Sequence, residues 1–201
     1  MNRCAFYIDG FNLYHSLYQN QKWLDLLALV KNFIASSDRI SYIKYFSTYC
    51  TWDSNKAARH KLLTDVYVDQ GIEVIMGKFK KITRHCRNNI PNCSGYYSTH
   101  EEKQTDVNIA LHLLNDAWED RYDKAYIISG DTDLLPVIQM LKTSNSHKLI
   151  SVIFPPFKWA DEIKTVCQTQ KMKQIHLNKS ILPQKYYTKN NVLIEAPPEW
   201  I

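Results

Sequence analysis

A chain of 201 residues is long enough for one domain with a small appendage. Its composition, 45% hydrophobic, 22% charged and 12% aromatic, excludes a disordered, collagen-like or disulfide-scaffold class and supplies a sizeable core. The net charge of +5, from 25 Lys+Arg against 20 Asp+Glu, permits an acidic partner such as nucleic acid without requiring one.

No apolar run approaches the roughly 18–20 residues of a spanning helix, so no membrane partner is expected. Met1-Asn2-Arg3-Cys4 leads straight into a strand-like run, so no signal peptide is expected. Five cysteines without regular spacing fit reduced thiols, and the expected location is cytoplasmic.

In chain order, Ala5-Phe6-Tyr7-Ile8 reads as a buried strand closed by the turn pair Asp9-Gly10. Phe11, Tyr14 and Tyr18 follow at i, i+3, i+7 spacing, which reads as core rather than a base-stacking surface. Trp23 to Ile34 has helical periodicity. Arg39 to Cys50, rich in β-branched and aromatic residues, reads as a strand. Asp53 or Ser54 caps a helix that runs to about Gln70 and stops at Gly71. "IEVIMGKF" reads as a third strand. Within "GKFKKITRHCR", Gly77 to Arg87, five side chains are basic. They form either a lysine-protected sheet edge or a path for phosphates, with Lys80, Lys81 and Arg84 as the contacts. Thr83 to His100 reads as irregular.

From Thr105 the pattern is helical, with Val107, Ala110, Leu111, Leu114 and Ala117 on one expected buried face. Ala125 to Ser129 reads as a strand, Leu134 to Leu141 as a helix, and "KLISVIFPP" as a strand stopped by Pro155-Pro156. Asp161 to Gln168 reads as a short helix and "KQIHL" as a last strand. The expected domain covers 1–178, with 83–100 as an irregular insertion, and 179–201 as a peripheral tail. Nearly wholly apolar strands separated by helices predict an α/β class with a mainly parallel sheet covered on both faces.

In such sheets, sites form at the carboxyl ends of strands. Asp9 ends the first strand, Asp131 and Asp133 follow the fourth, and Asp106 opens the helix before it. Each alone is explained by a turn, a cap or the helix dipole. Together, four acids from three segments repel one another, and no lysine or arginine lies in "IDGFN" or "SGDTD" to offset them. A hard ion, Mg²⁺ or Mn²⁺, would do so. These residues therefore point to metal-assisted hydrolysis of a phosphoester.

"YIDGFNLYHSL" (Tyr7 to Leu17), "HEEKQTDVNIALHLLNDA" (His100 to Ala117) and "YDKAYIISGDTDLLPVIQMLK" (Tyr122 to Lys142) resemble the NYN domain in its LabA-like bacterial branch, within the PIN-like ribonuclease superfamily. "VIFPPFKWADEIK", "KSILP" and the terminal "PPEWI" resemble that branch too. The resemblance implies a three-layer α/β/α sandwich, an acidic Mg²⁺ or Mn²⁺ pocket, and nuclease activity on RNA, expected to be single-stranded. Asp9, Asp106 and Asp131 match its metal-binding acids and Asp133 the neighbouring acid. Asn12 matches the polar residue after the first strand, with a helix cap as the alternative. Ser129 and Thr132 flank the acids, and Lys103 matches a lysine before "TDV" that would bind the scissile phosphate.

His85, Cys86, Cys93 and His100 are conceivable Zn²⁺ ligands, but their spacing does not fit a zinc knuckle. Tyr96 and Tyr97 beside Arg84 and Arg87 would make the same loop a stacking surface, with ordinary packing as the alternative. The expected function is a metal-dependent endoribonuclease. The alternatives are an RNA-binding module with little turnover, or a metal-dependent phosphatase. The oligomeric state stays open, a homodimer included.

Overall fold

The computed structural model describes residues 1–86 and 95–201. Arg87 and Cys93, named above, lie outside the described residues. Six parallel strands form the central sheet: β1 (Arg3–Asp9), β2 (Arg39–Ser47), β3 (Glu73–Met76) and, returning on the far side of β1, β6 (Lys124–Ile128), β7 (Leu149–Phe154) and β8 (Gln168–Lys171). The order is β3-β2-β1-β6-β7-β8. The strand order therefore reverses between β1 and β6, where Ile8 pairs with Ile128. At such a reversal the connections diverge to opposite faces and leave a crevice at the carboxyl ends.

Alternation along β1 divides the core. Cys4, Phe6 and Ile8 face one cluster with α2 (Leu26–Val30) and α3 (Ser54–Asp69). Ala5 and Tyr7 face the other, with α4 (Thr105–Trp118), α5 (Leu135–Ser144) and α6 (Asp161–Val166). The result is the expected α/β/α sandwich. Among the described residues, no helix is long and apolar enough to cross a membrane.

Several elements depart from expectation. The 23–34 helix shrinks to Leu26–Val30, because Asp25 accepts a hydrogen bond from the Ala28 amide and so starts the helix there. Trp23 is instead fixed by its indole N–H, which donates to the Pro183 carbonyl at 2.9 Å. "IEVIMGKF" is split at Gly77. A Cβ there would sit 2.8 Å from both the Lys103 carbonyl oxygen and Thr48 Oγ1, so only glycine lets the chain leave the sheet at this point. Beyond it, β4 (Lys78–His85) and β5 (Tyr96–Lys103) form an antiparallel hairpin, and 83–85 and 96–100 are thus ladder rather than irregular chain. "KQIHL" lies in α7 (Gln174–Asn178), and the last sheet strand is the polar "QTQK" just before it, a composition suited to an edge.

The buried face of α4 is Thr105, Ile109, Leu113, Asp116 and Ala117, while Val107 and Leu111 are exposed. The helix is turned by an ion pair that hydropathy does not register. Asp116 lies 2.7 Å from the buried Lys44 ammonium and accepts from the Tyr7 and Tyr42 hydroxyls. An acid so compensated can be buried where an unpaired one cannot. The tail contributes to the fold. Leu182, Ile194 and Trp200 are buried in the same cluster as Trp23, and α7 leads to a small hairpin of β9 (Lys185–Tyr187) and β10 (Leu193–Glu195).

Candidate active site

The carboxyl ends of β1 and β6 hold the first components. Asp9 is buried and caps α1 (Gly10–Tyr14). Its Oδ1 accepts from the Asn12 amide at 2.9 Å and its Oδ2 from the Ser129 hydroxyl at 2.8 Å. Ser129 Oγ also accepts from the Asp131 amide. Asn12 Oδ1 accepts from the Gly130 amide at 3.1 Å, so Asn12 braces the two loops and the cap is Asp9 rather than Asn12. Gly10 is required by packing, since a Cβ there would lie 2.4 Å from the Tyr45 ring.

Asp131 begins the 3₁₀ turn Thr132–Leu134 and accepts from the Asp133 amide at 2.9 Å. Carboxylate oxygens of Asp106, Asp131 and Asp133 all lie within 4.8 Å of one another. Asp9 stands beside them as a charged neighbour of Asp106 and Asp131. Thr132 is exposed on the turn. Among the described residues no lysine or arginine forms an ion pair with any of the four aspartates.

The electrostatic consequence is strong. Burial, followed by the charges of Asp9, Asp131, Glu102 and Asp133, raises the Asp106 pKa to about 7. Burial also raises Asp9 to about 6, against the hydrogen bonds from Asn12 and Ser129 and together with the charges of Asp131 and Glu102. Oxygen donors, clustered negative charge and no ion-paired cation are the donor set of a hard divalent ion, so the residues present fit such an ion.

Glu102 was not found from the sequence. Its Oε1 accepts from the Thr105 amide at 3.2 Å, from the Thr105 hydroxyl, and from Thr48 Oγ1 at 3.4 Å. Glu102 lies two residues before the cap position, Gln104, and so outside the Ser/Thr/Asp/Asn pattern that marks a helix start. Between Glu102 and α4, Gln104 has φ 82°, a left-handed conformation that turns the chain from the hairpin into the helix.

The predicted cationic residues form no ion pair with the four aspartates among the described residues. Lys103 pairs with Glu101 at 2.9 Å, and Arg84 pairs with the same carboxylate. Lys80 and Lys81 are exposed on β4. Lys158, not anticipated, lies against Gly130, where an added Cβ would meet its stem at 2.6 Å. His85 pairs with Tyr96 and His100 with Lys81, four rungs apart, and His100 stacks on Trp52. With Cys93 outside the described residues, these positions form no metal-binding group among the described residues. Phe11 and Tyr18, expected in the core, are exposed at 38% and 57%; α1 ends at Tyr14, so the helical spacing does not reach Tyr18. Tyr96 and Tyr97 are exposed too.

Comparisons with known proteins bear on the fold and the family. A 6-hydroxy-3-succinoylpyridine 3-monooxygenase of Pseudomonas putida is 29% identical in an alignment of 193 positions that covers 76% of this chain. The chain spans 59% of that relative's length. A crystal structure of a Vibrio parahaemolyticus protein of unknown function superposes with a TM-score of 0.55 at 16% identity, covering 90% of this chain and 96% of that one. At that identity the likeness concerns the fold. The model of the NYN domain matches residues 3–173. The chain belongs to the NYN domain family, a group of PIN-like nucleases.

Proposed function

We propose that this protein is a divalent-metal-dependent endoribonuclease of the cytoplasm that hydrolyses RNA phosphodiesters at the aspartate cluster. The observation that carries the reading is the meeting of Asp106, Asp131 and Asp133 beside Asp9 at the β1/β6 switch, with no ion-paired cation among the described residues. Asp106, Asp131 and Asp133 would hold Mg²⁺ or Mn²⁺. Bound there, the ion would supply Lewis-acid polarisation of the phosphodiester and a water of lowered pKa.

The chain's own residues do the rest. Ser129 holds the Asp9 carboxylate and the Asp131 amide, and so fixes the two acid-bearing loops relative to each other. Asn12 adds a second tie between them. Asp9, with both oxygens engaged, keeps its charge facing Asp106 and Asp131 and strengthens the demand for a cation. Lys158, whose stem lies against Gly130, would supply a point charge for a phosphate at this edge.

The test is incubation with single-stranded RNA, duplex RNA and a small phosphoester, in Mn²⁺ or EDTA. Internal cleavage of single-stranded RNA in Mn²⁺ alone is expected. Asp131→Asn is expected to lower it by more than roughly 100-fold, beyond the 10–100-fold lost with a mere hydrogen-bonded partner of a metal ligand. Binding without cleavage would leave an RNA-binding module, and turnover of the phosphoester alone a phosphatase.

A second reading comes from the Pseudomonas putida relative, whose name records a small pyridine substrate. The observation that favours it is the ring-lined cavity beside the acids. Loss of a hydroxypyridine in the presence of oxygen and a reductant, without RNA cleavage, would select it.

A further inference from the structure

The cavity beside the acids has a volume of about 530 Å³, within the range of small-ligand sites. Its wall toward the aspartates is Gly10, which follows Asp9, and Thr48, which bonds Glu102. Much of the remaining lining is rings: Phe11, Tyr14, Trp52, Phe79, His100 and Trp200. Trp52 and His100 are parallel, with centroids 3.6 Å apart. Phe79 meets Trp52 edge-on at 4.7 Å and Phe11 at 6.0 Å. Trp52 is 47% exposed, a large ring left open to solvent at the cavity.

Among the charged groups of the lining, Arg59 pairs with Glu199 at 2.8 Å and Lys56 with Asp53 at 3.4 Å, while Lys22 makes no ion pair among the described residues. The Lys22 ammonium lies 4.0 Å above the Tyr14 ring. Flat apolar walls with the Lys22 ammonium beside them complement a flat ring carried on an anionic backbone.

We propose that this cavity is a nucleobase subsite, which takes one unpaired base of the RNA strand whose backbone continues to the aspartates. The identity of the strand rests on the ribonuclease reading; the shape and charge of the cavity do not. A base within a duplex must leave its stack before it can enter such a pocket, so the subsite selects single-stranded RNA. Stacking accepts any base, because every base has a π-face, so sequence preference at this position is weak.

The test is the affinity of short single-stranded oligoribonucleotides, measured in Ca²⁺, in which each base in turn is removed to leave an abasic ribose. One position is expected to weaken wild-type binding by about 5- to 150-fold, the range of one base–aromatic stacking contact. In Trp52→Ala the same removal is expected to cost little, since the ring that the base meets is gone. Trp52 is half-exposed, so the fold should survive its loss, and Phe11→Ala, at a second exposed ring, is expected to show the same coupling.

The proposal is overturned if no position matters, if the loss is undiminished in both variants, or if duplex binds as tightly as single strand. A free hydroxypyridine that quenches Trp52 yet leaves RNA affinity unchanged also overturns it. Coupling without cleavage in Mn²⁺ would keep the subsite and remove the ribonuclease reading. Cleavage without coupling would do the reverse.

Discussion

At the residue scale the acids set the protein's response to pH. An acid whose folded pKa lies above its unfolded value near 3.8 stabilises the fold while protonated. That contribution is complete below about pH 4 and is lost as pH rises through about 6 for Asp9 and about 7 for Asp106. A divalent ion needs these carboxylates ionised, so its binding strengthens over the same interval. Buried His60, whose pKa burial pushes down to about 4, acts oppositely, costing stability as pH falls below 6.5. The Mn²⁺-induced rise in Tm therefore isolates the cluster better than Tm itself. It is expected to be small near about pH 5 and to level off above about pH 7. Asp106→Asn is expected to melt higher than wild type in EDTA near about pH 8, where repulsion is greatest, and to lose most of the Mn²⁺ effect. A Mn²⁺ shift independent of pH would place the ion elsewhere. The four aspartates were legible because each ends a strand or opens a helix. Glu102 was not, because its neighbours Glu101 and Lys103 make the segment read as a solvated charge run.

At the scale of elements, the hairpin β4–β5 decides which basic residues can meet the cavity. Strand alternation puts Lys81 on the same face as Phe79, opposite His100. Lys80 and Arg84 share the other face, where Arg84 is held by Glu101. Lys81→Ala is therefore expected to weaken RNA binding and flatten its salt dependence by about one contact, while Lys80→Ala and Arg84→Ala change little. Affinities over a salt series check this; an equal change in slope at Lys80 would move the strand to the other face. The strands of the sheet were readable because a parallel strand buried on both faces is a continuous apolar run. The phase of α4 was not, since Val107 and Leu111 suggest one face while the buried pair Lys44–Asp116 enforces another. The hairpin was hidden because polar and charged residues predominate along both strands.

For the whole molecule, the order β3-β2-β1-β6-β7-β8 is the feature from which the site follows. It brings residues 9, 106 and 131, far apart in sequence, to one edge and leaves the aromatic cavity beside them. The α/β class and the edge were legible from the spacing of strands and helices. The pairing of the hairpin with the cavity was not, because contacts between distant segments leave no periodicity in the chain. The central claim is that Asp106, Asp131 and Asp133, with Asp9 beside them, form a divalent-metal centre. Anomalous diffraction from crystals soaked in Mn²⁺ measures this directly. One strong peak is expected among the carboxylates of Asp106, Asp131 and Asp133, absent in Asp131→Asn crystals soaked in parallel. A peak at another site, or none at saturating Mn²⁺ with these three side chains ordered, would contradict the account.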